Sequence, residues 1–374
     1  MRPRYLSLLA LALCAFAADD EGPRDLIITR TGPPIAAAEV VTEGADEVTF
    51  KVTAQAAPSK RRTREVVRID YAGFREGNFK AGSDALAGGR FEEAAAKFHS
   101  AADDGREWQK VYGSLAEGDA LARAGKFKEA AAAFAVVAEG QAFEAHRLRL
   151  DAQYHFGFAL ALAKDPAADK VVATLVDLSK GKIGPPAESR AGAIRTVQAA
   201  AKDANAKIDD LARRVTFRAE DADVGYHFNR WFIGALRAQG KAREAGRAVE
   251  ALLSATEKEA PAADNGRLVE LRLLKGQILA DSDPQAALVD LLKIDLLPFG
   301  TEDQRCEARL LAGKLLLAEA KALESNPETA KDEKKTAFVA EQRATAKHLL
   351  SAAAASGSTK PAKGEAAKLA ATLP

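Results

Sequence analysis

Gly89-Arg90-Phe91-Glu92-Glu93-Ala94-Ala95-Ala96-Lys97-Phe98 returns 36 positions later as Gly125-Lys126-Phe127-Lys128-Glu129-Ala130-Ala131-Ala132-Ala133-Phe134. A weaker copy follows as Gly240-Lys241-Ala242-Arg243-Glu244-Ala245 with Val249. A repeat period of roughly 20–50 residues marks stacked supersecondary units, none of which buries its apolar face alone. In each copy a glycine precedes a run of good helix formers, and residues four apart, such as Ala94 and Phe98, share a helix face. Another glycine stands twelve residues ahead of the key alanine, Gly82 before Ala94 and Gly118 before Ala130. The unit is therefore a pair of helices joined by a short turn. A small residue at the crossing permits close approach, and the phenylalanine one turn on fills the space beside it.

This pattern resembles the tetratricopeptide repeat, over about Phe74 to Ser351. The resemblance implies a mainly α fold, an α-solenoid of helical hairpins. Gly82, Ala94 and Phe98, then Gly118, Ala130 and Phe134, take the places where the two helices of a unit meet. It also implies a concave groove lined by the first helices, taking a peptide or protein partner. The groove positions carry over as Tyr112, Asp119 and Arg123 in the second unit and His227, Arg230 and Arg237 in the fifth hairpin. Later units depart from the pattern. Gly157 is followed by Asp165-Pro166 and Gly276 by Asp283-Pro284, where Asp-Pro reads as an N-cap and an N1 proline. Gly234 and Gly313 head two further units.

No mid-hairpin turn is legible between Gly157 and Gly234. Ile194, Val197, Ala201, Ala204, Ile208, Leu211 and Val215 are spaced alternately three and four, which predicts one long helix over 187–216. It serves either as a buried member of the array or as a seam for self-association through 194–215. Gly181-Lys182-Ile183-Gly184-Pro185-Pro186 ahead of it reads as a hinge, 181–186.

The ends of the chain read differently. Arg2 and Arg4, the apolar run Leu6 to Ala17 and the small residues Ala15 and Ala17 predict a signal peptide over 1–17, with a mature start at Ala18 and export from a bacterial cytoplasm. The apolar run is shorter than the ~20 residues a spanning helix needs, so no stable membrane span is expected. Between residues 25 and 71 the pattern alternates. Leu26-Ile27-Ile28, Ala38-Glu39-Val40-Val41, Val48-Thr49-Phe50-Lys51-Val52 and Val66-Val67-Arg68-Ile69 predict four short antiparallel strands, a small β module leaning on the helices that follow. Lys60-Arg61-Arg62 and Arg64 read as a solvated loop and strand edge, against the alternative of a phosphate or lipid patch. The helical array spans 72–354, and 355–374 reads as a disordered tail in which Ala366 to Leu373 form at most a transient helix.

Composition excludes several function classes. With 54 Lys+Arg against 53 Asp+Glu, no overall field draws in nucleic acid. Removing residues 1–17 leaves Cys306 as the sole cysteine and rules out an intrachain disulfide. None of the common metal, nucleophile or nucleotide motifs occurs, so no catalytic residue, metal or cofactor is assigned. Tyr154-His155-Phe156 and Tyr226-His227-Phe228 read as equivalent packing positions and not as metal ligands. Trp108 and Trp231 read as core, and Cys306 as a buried thiol. The expected function is a non-catalytic adaptor in the cell envelope. An envelope enzyme with an unrecognised site and a self-assembling structural protein are the alternatives.

Overall fold

The turn after each aligned glycine follows from backbone geometry. The computed structural model describes residues 23–103, 105–181, 183–218, 221–259, 265–297, 300–358 and 361–373, so the signal peptide 1–17 and Lys182 of the expected hinge lie outside the described residues. Helices α1 (Gly77–Ala87) and α2 (Phe91–Ala102) are joined through Gly89, α3 (Glu107–Arg123) and α4 (Phe127–Ala138) through Gly125, and α9 (Ala222–Ala238) and α10 (Ala242–Glu259) through Gly240. The three glycines have φ of 69°, 77° and 73°, a left-handed region that favours glycine. In each turn the next residue donates its N–H five residues back: Arg90 to Ala85, Lys126 to Leu121 and Lys241 to Leu236, at 2.9, 2.9 and 3.0 Å. This is the closing bond of a Schellman cap. The same bond joins Asp165 to Leu160 at 2.9 Å between α5 (Arg149–Leu162) and α6 (Ala167–Ser179), with Lys164 at φ 57° in place of glycine. A lysine holds the left-handed position here, so this fourth turn lacks the glycine of the aligned copies and is marked in the sequence only by Asp165-Pro166.

The remaining helices are α7 (Pro185–Lys202), α8 (Ile208–Ala212), α11 (Asn265–Leu279), α12 (Pro284–Leu296), α13 (Glu302–Glu324), α14 (Glu333–Ala355) and α15 (Pro361–Ala371). The protein is mainly helical, and successive helices pack on one another from α1 to α7 and from α9 to α15. The crossing glycines explain the closeness. A methyl group added at Gly82 would stand 2.8 Å from Phe98, and one at Gly157 2.9 Å from Val171 and 2.6 Å from Ile194. At Gly276 it would meet Leu291 at 2.6 Å, and at Gly313 Leu350 at 2.8 Å. Gly234 is the exception, since nothing lies within 4 Å of the same position. The expectation that it heads a unit as a crossing glycine is therefore corrected: it sits on an exposed face of α9.

Two further expectations change. The long helix over 187–216 is broken after Lys202, because Asp203 is extended (φ −139°, ψ 115°) and its carboxylate accepts the Asn205 N–H at 2.8 Å. Such short polar side chains compete with the helical backbone for its own donors. Ile194, Val197 and Ile208 are fully buried while Ala204 is exposed, so the seven positions leave no free apolar seam for self-association. The tail read as disordered contains α15, which packs against α13 and α14 through Ala366, Leu369 and Leu373 around Leu350 and Cys306. Its alanine-rich composition suits both close packing and helix. The Asp-Pro reading is matched at Asp283, the N-cap of α12, which accepts from the Ala286 N–H at 3.1 Å with Pro284 following at N1. At Asp165-Pro166 it shifts by one residue: Pro166 is the N-cap of α6, and the Asp165 carboxylate accepts the Ala167 N–H at 2.9 Å just ahead of it.

The β module holds six strands where four were expected: β1 (Asp25–Thr29), β2 (Ile35–Ala37), β3 (Glu39–Glu43), β4 (Glu47–Lys51), β5 (Ser59–Arg62) and β6 (Val66–Asp70). They form two antiparallel sheets, ordered β2-β1-β6 and β3-β4-β5. One residue, Ala38, carries the chain from the first sheet to the second, so a single apolar run supplies two strands. Lys60-Arg61-Arg62, read as a loop and strand edge, forms most of edge strand β5. The module buries Ile27, Val48, Phe50, Val66, Ile69 and Tyr71, and packs on Phe74, Trp108 and Tyr112 at the start of the helical part. So few residues bury little surface by themselves, and the helices complete the core.

Candidate functional site

Charged and polar side chains of α3, α5, α9, α11 and α13 form a series of local contacts. On α3, Asp119 and Arg123 form an i,i+4 pair at 2.9 Å, the geometry that two facing residues on one helix allow. On α5 and α9 the rings of His155 and His227 meet edge to face, 4.8 Å apart. The Tyr154 hydroxyl lies 3.0 Å from Nδ1 of His227, Phe134 stacks on His155, and Phe158 abuts His227. From α9 the row passes to α11, where Glu270 pairs with Arg230 and accepts the Tyr226 hydroxyl at 2.9 Å. Arg267 reaches back to Asp223 at 2.8 Å and lies over the Tyr226 ring. Arg237 donates to Gln277 at 3.4 Å, and Gln277 to Glu307 of α13 at 2.7 Å. A polar strip thus runs across α3, α5, α9, α11 and α13.

The two Tyr-His-Phe segments are not equivalent. Tyr154 is fully buried against His227, whereas Tyr226 is half-buried and faces Glu270, and the two histidines touch each other. Burial lowers the His227 pKa well below its ordinary value, and His155, Arg230 and Arg123 add to the effect. Burial also lowers His155, with Asp151 and Asp119 opposing in part. Both rings are neutral at pH 7. Because their folded pKa values lie below the unfolded ~6.5, the unfolded chain binds more protons below that value and stability falls as pH drops. Thermal melts from pH 7.5 to 5 should show this decline, and His155→Gln with His227→Gln should flatten it. An unchanged slope would remove the two histidines as its source.

Beneath the strip, Arg190 is buried between Asp151 of α5 and Asp221, at the start of α9. Burial works against its charge, but the two carboxylates outweigh that and raise its pKa. Its Nε and the second Asp221 oxygen are buried without a hydrogen-bond partner. This ion cluster joins α5, α7 and the chain entering α9, and fixes the platform that carries the histidines. No motif announces it, because its members come from separate helices.

Of the six groove positions, Asp119, Arg123, His227, Arg230 and Arg237 belong to the strip, and Tyr112 lies apart. Its hydroxyl donates to Glu43 at 2.9 Å and accepts from Arg147. Glu43, at the end of β3, is buried, and also accepts from the Tyr71 hydroxyl at 2.6 Å and from Arg147 Nε. Burial raises both tyrosine pKa values, with the Glu43 charge adding to it, so both hydroxyls stay protonated and donate. This network locks the β module to α3 and to the segment before α5. Trp108 stacks on Tyr71 at 4.5 Å, and Trp231 packs against Phe158 and Phe228, both as core contacts. Cys306 is fully buried near the Ala353 carbonyl. Among the described residues no group of three or more His, Cys, Asp or Glu is placed to hold a metal, and no helix is long and apolar enough to cross a membrane. Comparison with protein-family models, with curated proteins and with solved structures returns no match.

Proposed function

We propose that the chain is an exported, non-catalytic scaffold of a bacterial cell envelope, a tetratricopeptide-like solenoid that holds a peptide or protein partner along its first helices. The observation that carries this reading is the strip from Asp119 and Arg123 through His155, His227 and Arg230 to Arg237, carried by the three helices α3, α5 and α9. Rigid helices that display side chains in a row suit recognition of an extended partner. The recurrent Schellman turns and the crossing glycines at Gly82, Gly118, Gly157, Gly276 and Gly313 support the repeat assignment. The Arg2 to Ala17 pattern supports export.

Arg230→Glu with Arg237→Glu tests the reading. Both side chains are exposed, and losing the surface pair of Arg230 with Glu270 costs about 1 kcal/mol. Partners captured from an envelope extract by the parent chain should be lost by the double variant, while its melting temperature stays within a few degrees. Equal capture by both proteins would reject the strip as the binding face.

A further inference from the structure

The β module carries a second surface, separate from the helical strip. Strand β5 is an edge of its sheet, and Ser59, Lys60, Arg61 and Arg62 are all exposed. The opposite edge is covered where β3 ends: the Arg147 N–H donates to Glu43 at 3.0 Å, Ala45 to Ala145 at 2.7 Å, and Gly44 bridges His146. Among the described residues no strand or loop pairs with the outer side of β5. Beside it lies an open cleft of about 530 Å³, lined by Lys60, Arg61, Arg62 and Arg64 with Asp46 and Glu47. Lys60 is paired with Glu47, whereas Arg61, Arg62 and Arg64 have no carboxylate partner among the described residues.

The register places these charges on both faces of the edge. Arg61 stands opposite Val48, whose side chain is buried in the core, so it lies on the core face of the sheet. Lys60 and Arg62, opposite Thr49 and Glu47, lie on the other. An edge strand offers unpaired N–H and C=O groups to any extended chain, and cations along it repel a second copy of itself. The same cations favour a strand of opposite charge, and guanidinium groups take carboxylates in a two-point geometry.

We propose that β5 accepts an extended, acid-rich peptide segment as an added strand, with Arg61, Arg62 and Arg64 pairing with its carboxylates. Backbone bonds supply the attachment and the arginines the selectivity. The site is independent of the helical strip and would stand if that reading failed.

A fluorescein-labelled hexapeptide of alternating glutamate and valine, titrated against the full chain by anisotropy at low salt, tests this. Binding is expected. Arg61→Glu, Arg62→Glu and Arg64→Glu together should weaken it at least about tenfold, as three exposed ion pairs are exchanged for repulsion. Methylating every peptide nitrogen keeps every side-chain charge but removes the donors of both edges, and should abolish binding to the unaltered chain. That comparison needs no variant and stands whatever the triple substitution does to stability. No binding, equal binding of the methylated peptide, or affinity for inorganic phosphate or anionic phosphatidylglycerol vesicles equal to that for the peptide would overturn strand addition.

Discussion

Glu43→Leu is expected to cost on the order of 3–5 kcal/mol, because it leaves the Arg147 guanidinium buried without its counter-charge. Arg147 exposes only 7% of its side chain and Glu43 only 3%, so water cannot replace the lost carboxylate. The same change leaves the hydroxyls of Tyr71 and Tyr112 without their acceptor, each a buried polar group with a desolvation cost of its own. The loss should fall on the β module. Urea denaturation would measure the size, and amide exchange would show β1 to β6 losing protection ahead of α1 to α6. Adding Arg147→Leu should recover part of the stability, since a buried ion pair replaced on both sides by apolar groups is often near neutral. If Glu43→Leu melts like the parent, the network is not what holds the module in place.

Gly118→Leu should destabilise the helical part by about 1–3 kcal/mol, the usual cost of overpacking, and more if the neighbour cannot move. The first added carbon alone would stand 2.6 Å from the Phe134 ring, which is itself 4% exposed and has nowhere to retreat. Gly234→Ala is the control of opposite sign. Nothing lies within 4 Å of its added methyl, and replacing an exposed mid-helix glycine by alanine stabilises by roughly 0.5–1 kcal/mol. Circular dichroism melts of the two variants should move in opposite directions. A parent-like melt for Gly118→Leu would overturn the assigned crossing.

What was legible in the sequence was local. Gly89, Gly125 and Gly240 announce their turns because a left-handed backbone excludes most other residues, and the constraint lies within the six residues that each cap spans. Gly82 and Gly118 are legible because each hairpin meets over a fixed, short separation, which the repeat displays twice. Where a unit satisfied the same geometry without glycine, as Lys164 does, only Asp165-Pro166 marked the turn, and where a glycine stood for no packing reason, as Gly234 does, the pattern misled. The break after Lys202 lay in plain view as Asp203 and Asn205, but the regular apolar spacing outweighed it.

The amino-acid sequence by itself thus determined a mainly helical chain of paired helices behind a small β module, since helix propensity, turn chemistry and apolar spacing act over a few residues. Only the tertiary structure decided which charges meet. Glu43 and Arg147 lie 104 residues apart, Arg190 and Asp151 lie 39 apart, and Tyr154 and His227 lie 73 apart. Each pairing depends on how separate helices and strands dock, and a lone charged residue on a helix carries no local mark of whether it will face water or an opposite charge in the core.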